Sequence, residues 1–160
     1  MSKELTTLLE RARRARCWGD EPSPELLTQI DAERRKHQAS PELLDTLAVL
    51  RQAWISSAGS TKKNRHIAFL GVLYSEVHTW CYLKKLDELM TGLSKFFNVD
   101  PNNRDAYSML LVAVCGPNLS RKVRSTWTAC LRTVERHKTP KNLGAAQIIR
   151  LGGINRCSRR

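Results

Sequence analysis

A chain of 160 residues is long enough to bury about 70% of the surface its unfolded form exposes, and a hydrophobic content of 41% with four tryptophans argues against wholesale disorder. Its 27 lysines and arginines against 15 acids give a net charge of +12, so attraction to polyanions dominates its long-range electrostatics: nucleic acid, an anionic membrane surface or an acidic protein patch. No apolar run reaches the roughly 18 residues of a membrane-spanning helix, and five scattered cysteines without a C-x-x-C pair suit reduced thiols in a cytoplasmic or nuclear compartment better than a disulfide framework.

The first element is predicted as an amphipathic helix. Leu5, Leu8, Leu9 and Ala12 recur at helical spacing, Arg11, Arg13, Arg14 and Arg16 cover the other side, and Gly19 ends it. The motif SPELL then occurs twice, at Ser23–Leu27 and Ser40–Leu44. Serine is a good N-cap, proline lacks the N–H that would be orphaned at the first helical position, and glutamate favours the positive helix end. Two helix starts follow from this chemistry. The first helix should bury Leu26, Leu27 and Ile30 and expose Arg34, Arg35, Lys36 and His37; the second should bury Leu43, Leu44, Leu47, Leu50 and Trp54.

A polar linker, Ser56–Thr61, leads to Lys62, Lys63 and Arg65. Cations at a helix N-terminus oppose the dipole, which suits a ligand contact, though a solvated turn tolerates them as well. From Ile67 to Leu83 the chain is apolar almost all round, the mark of a helix surrounded by neighbours, and the pattern continues to Phe97. Gly71 and Gly92 mark close approaches or breaks. Asn98–Asn103 is a turn in which Asp100 offers a cap, and Ala106, Met109, Leu110, Val112, Ala113 and Val114 form a short buried helix closed by Gly116-Pro117.

Ser120 caps the helix that carries most of the functional expectation. At about 100 degrees per residue, Val123, Trp127, Cys130, Leu131 and Val134 share one side, while Arg121, Arg124, Ser125, Thr128, Arg132 and Arg136 share the other. Thr139-Pro140 opens a last helix through Leu143, Ala146, Ile149 and Leu151, which Gly152-Gly153 stops. From Ser120 onward there are 11 basic groups and one acid, Glu135, so this quarter holds +10 of the total +12.

Arginine forks bind phosphate oxygens bidentately, and serine or threonine hydroxyls can donate beside them. With a single acid available, the charges of this helix cannot be neutralised within it. Phosphate contacts are therefore expected from Arg121, Lys122, Arg124, Arg132, Arg136, Lys138 and Lys141, with Lys62, Lys63 and Arg65 as secondary contributors. No zinc-finger spacing or ribonucleoprotein aromatic signature separates RNA from DNA.

Other chemistry finds less support. His78 and Cys81 stand three apart and Cys130 and His137 seven apart, which would suit zinc only if their helices met; isolated cysteines on apolar faces more often serve as small core residues. There is no glycine-rich phosphate loop or H-E-x-x-H. The expectation is an all-α single-domain bundle of about six or seven helices: N-terminal helices within 3–56, a central helix over about 65–97 and C-terminal helices within 103–151, all in a domain 1–153, with a basic flexible tail 154–160. Its expected role is non-enzymatic, nucleic-acid-binding and without cofactor or metal. A membrane-surface or matrix-like adaptor, self-association, and a module docking an acidic protein are the alternatives.

Overall fold

The computed structural model describes residues 3–17, 23–36, 39–58, 65–97, 99–100, 105–116 and 119–159. The fold is all-α, with no strand among these residues. The chain divides into two compact units, Met1–Ser40 and Pro41–Arg160.

The first unit is a helix pair, α1 (Lys3–Cys17) and α2 (Pro24–Lys36). Its separateness follows from its own small core: Ala12 and Ile30 are buried, and Leu8, Leu9 and Leu26 pack around them. Ser23 caps α2 as its motif predicts, its Oγ accepting from Leu26 N at 3.2 Å. Leu27 is exposed, contrary to expectation, because it lies about 100 degrees round the helix from Leu26. The side chains of Arg13, Arg16 and the Arg34–His37 cluster lie outside the described residues.

The second unit contains α3 (Pro41–Ala58), α4 (Arg65–Tyr82), α5 (Leu86–Phe97), α6 (Ala106–Cys115), α7 (Arg121–Arg136), a short 3-10 helix (Lys141–Leu143), α8 (Gly144–Arg150) and α9 (Ile154–Cys157). Helix α4 is central, touching α3, α5, α6, α7 and α8, and buries Ile67, Phe69, Leu70, Leu73, Tyr74, Val77 and Trp80. Each large apolar side chain so enclosed contributes about 1.5–3 kcal/mol. Against it α3 sets Leu43, Leu47 and Leu50, while Leu44 turns outward and Trp54 is half-buried. Trp80 Nε1 donates to Thr46 Oγ1 at 3.0 Å, and that hydroxyl donates to Glu76 Oε2 at 3.3 Å.

The single helix expected over 65–97 is two helices. Lys84 adopts φ 57°, Lys84 N donates to Cys81 O and Lys85 N to Trp80 O, a Schellman closure that ends α4 before α5 begins. Apolar periodicity runs through the break without registering it, since one left-handed residue costs no apolar position. The cap of α6 is also displaced: Asp105, not Asp100, accepts from Ser108 N at 2.8 Å.

Gly71 is a close approach, as its position suggested. A Cβ there would stand 2.7 Å from Ala145 Cβ, so the missing side chain lets α8 lie against α4. Tyr74 fixes the same junction by donating its hydroxyl to Thr139 O at 2.6 Å. The buried face of α8 is Gly144, Gln147 and Ile148, followed by Leu151, while Leu143, Ala146 and Ile149 are exposed. The preceding 3-10 helix, with about three residues per turn, shifts the rotational phase from the one extrapolated from Thr139.

The expected flexible tail is in fact folded through most of its length. Gly152 and Gly153, at φ 91° and 88°, reverse the chain. Helix α9 then returns onto α7 and α8, with Cys157 fully buried and its thiol donating to Cys130 O at 3.4 Å.

Candidate nucleic-acid interface

Helix α7 forms where its sequence pattern places it, with Ser120 Oγ accepting from Val123 N at 3.4 Å. Trp127, Cys130, Leu131 and Val134 are buried. Val123, expected among them, stands 36% exposed because the first turn runs past the edge of the packed body. The inner face holds the helix through Trp127, whose ring lies 5.0 Å from His66 and 6.1 Å from both Trp54 and Phe69.

The opposite face lines a groove of about 790 Å³. Arg121, Arg124, Arg132 and Arg136 meet there with Ser125, Thr128 and Ala129; α6 adds Asp105 and Ser108, and the end of α9 adds Ser158. Among the described residues that line it, four guanidinium groups stand against two carboxylates, Asp105 and Glu135. The first turn of α7 holds no acid, so the positive helix end adds to the field of Arg121 and Arg124 instead of being offset.

The four arginines are not equivalent. Arg132 is paired with Asp105, its Nε and Nη2 both on Oδ2, while its side chain stays 59% exposed. Arg136 Nη2 donates to Thr133 Oγ1 at 2.8 Å, which orients the guanidinium without neutralising it. Among the described residues neither Arg121 nor Arg124 pairs with a carboxylate. Thr128 lines the groove at 8% exposure, and its Oγ1 has no hydrogen-bond partner. A buried hydroxyl left in this way is costly, by about 1–3 kcal/mol, unless something brought to it completes the bond.

The remaining expected contacts are dispersed. Lys122 is exposed but outside the groove, about 100 degrees round the helix from Arg121. Lys138 and Lys141 lie beyond the end of α7, Lys138 at φ 50°. Arg65 begins α4, and its Nε donates to His66 Nε2 at 3.1 Å. Lys62 and Lys63 lie outside the described residues. Asp105, Ser108 and Ser158 were missed by sequence reasoning, because they reach the groove from other helices; the only local signal was the D-x-x-S spacing of Asp105 and Ser108, which marks a cap.

The groups considered for a metal do not assemble. Among the described residues no three or more His, Cys, Asp or Glu side chains are grouped to hold an ion. His78 packs on Tyr74 at 4.4 Å, and burial pushes the Cys130 thiol upward, reinforced by the hydrogen bond with Cys157. Burial likewise raises Cys115 to about 12, so its thiol stays protonated at neutral pH. No helix among the described residues is long and apolar enough to cross a membrane. Compared with protein-family models, with curated proteins and with solved structures, the chain matches none of them.

Proposed function

We propose that this chain is a non-enzymatic nucleic-acid-binding protein that grips the phosphate backbone in the groove of α7. The observation that carries the reading is the convergence of Arg121, Arg124, Arg132 and Arg136 on one concavity with the unpartnered hydroxyl of Thr128. Guanidinium forks supply charge and bidentate geometry, and the hydroxyl supplies a neutral donor to a phosphate oxygen. Contacts that these groups make to phosphate oxygens give affinity without sequence preference. A concave site suits a rod-like polyanion better than a flat bilayer, which sets this reading ahead of the membrane-surface one.

The test is binding of the intact chain to single-stranded RNA, single-stranded DNA, duplex DNA and anionic vesicles at two salt concentrations. With Arg132 held by Asp105, three neutralised phosphates, at Arg121, Arg124 and Arg136, predict about a fortyfold loss of duplex affinity between about 50 and 200 mM salt. A variant with Arg121, Arg124, Arg132 and Arg136 changed to glutamine should lose most of that affinity. An unchanged variant, a flat salt titration, or vesicles that bind more tightly than every nucleic acid would each overturn the proposal.

A further inference from the structure

A second cavity lies past the C-terminal end of α7, and its chemistry differs from that of the groove. It measures about 290 Å³ and is lined by His137, Lys138 and Thr139 of the turn, Pro140 and Leu143 of the 3-10 segment, and Ala146, Gln147 and Arg150 of α8. Among the described residues that line it, two are cations and one a histidine, and none is a carboxylate. Among its described lining residues the groove of α7 has no apolar side chain larger than Ala129; here Pro140, Leu143 and Ala146 form an apolar wall, with Leu143 47% exposed.

Three features make this a built site. Gln147 is 7% exposed, and its Nε2 has no hydrogen-bond partner although the residue lines the cavity. A buried amide donor left in that state can be satisfied by an acceptor brought into the cavity. Lys138 holds φ 50°, a conformation that costs a non-glycine residue energy and is retained where the surroundings enforce it. Those surroundings are firm: Thr139 is buried, its Oγ1 donates to Val134 O at 2.9 Å, and its carbonyl accepts from Tyr74.

Three of the last carbonyls of α7 are already engaged, which weakens the negative helix end that an anion would meet here. Thr133 O accepts from His137 N, Glu135 O from Lys138 N, and Val134 O from the Thr139 hydroxyl. The cavity therefore presents positive charge, one unmet donor and an apolar wall.

We propose that this cavity binds a protein segment in which an aspartate or glutamate stands beside an apolar side chain. The carboxylate meets Lys138, Arg150 and the Gln147 amide, and the apolar neighbour packs on Pro140, Leu143 and Ala146. A bare phosphate would use the cations and leave the apolar wall uncovered. The site is separate from the phosphate-binding groove and stands whether or not nucleic acid binds there.

The experiment uses the full chain and a fluorescein-labelled peptide of alternating glutamate and leucine, with a glutamine-and-leucine peptide as the uncharged control and inorganic phosphate as competitor. Lys138→Gly removes the amine while relieving the left-handed backbone, and Gln147→Leu removes the unmet donor, so neither variant is expected to unfold the protein. The acidic peptide should bind, the control should bind at least tenfold more weakly, and each variant, like Arg150→Gln, should weaken the acidic peptide about tenfold. Arg121→Gln with Arg124→Gln should leave the peptide unaffected. Equal binding of the two peptides, insensitivity to the cavity variants, loss of peptide binding in the groove variant instead, or full displacement by phosphate at the peptide's own concentration would overturn the proposal.

Discussion

Asp105 caps α6 with one carboxylate oxygen and holds Arg132 of α7 with the other. One side chain thus fixes the start of a buried helix and orients a guanidinium in the basic groove, at the cost of cancelling part of the charge that a polyanion would meet. The two roles separate chemically. Asparagine can still cap, since its carbonyl oxygen accepts from Ser108 N, but it carries no charge.

Asp105→Asn is therefore expected to tighten nucleic-acid binding and to steepen its salt dependence, because Arg132 becomes available for one further phosphate. Its thermal midpoint should fall only modestly: Asp105 is 10% exposed, but Arg132, 59% exposed, is solvated once the pair is lost. Asp105→Ala should gain the same affinity but lose about 1 kcal/mol of stability with the cap. Affinity that falls in both variants would place the carboxylate, not the arginine, in contact with the ligand.

This division between local and distant information runs through the whole molecule. Helix starts at Pro24, Pro41 and Arg121 and the central position of α4 were legible because each depends on capping chemistry or periodicity within one segment. The break at Lys84 was not, because its cause is a left-handed backbone at a residue whose side chain gives no sign of it. The groove was half legible: its arginines share one helical face, but Asp105, Ser108 and Ser158 arrive from α6 and the end of α9 through tertiary packing. The burial of Cys157 was hidden by the basic residues around it, which look like a solvated tail until the turn at Gly152 and Gly153 is seen.

The aromatic cluster behind the groove titrates. His66 stacks on Trp54 at 5.5 Å and contacts Trp127 at 5.0 Å; its Nε2 accepts from Arg65, so the hydrogen is assigned to Nδ1, which donates to Ser57 Oγ at 3.3 Å. Burial, and secondarily the Arg65 charge, lower its pKa below the usual 6.5. A histidine depressed in this way binds fewer protons folded than unfolded, so its contribution is complete above pH 6.5 and is lost as pH falls from there through the folded value. The urea midpoint of the wild-type chain should fall over that window. His66→Phe keeps a ring between the tryptophans and removes the titration, so its midpoint should be flatter there; identical slopes in the two proteins would assign the acid sensitivity to other groups.

The C-terminal segment gives the sharpest contrast between a charged tail and a structural element. If residues 154–160 were a mobile appendage, their removal would weaken polyanion binding through lost charge and leave stability untouched. With Cys157 fully buried against α7 and Ser158 lining the groove, removal should also lower the thermal midpoint, because the Cys130 region of α7 loses its cover. Deletion alone mixes the two effects, so the decisive variant is Cys157→Ala, which leaves every arginine in place. Loss of a buried thiol should cost about 1–2 kcal/mol. Nucleic-acid affinity should then fall only under conditions where α9 loosens, because the groove loses the wall that Ser158 provides while its charge is unchanged. A Cys157→Ala protein as stable as wild type, together with a deletion that shifts affinity but not the midpoint, would show that α9 does not hold α7.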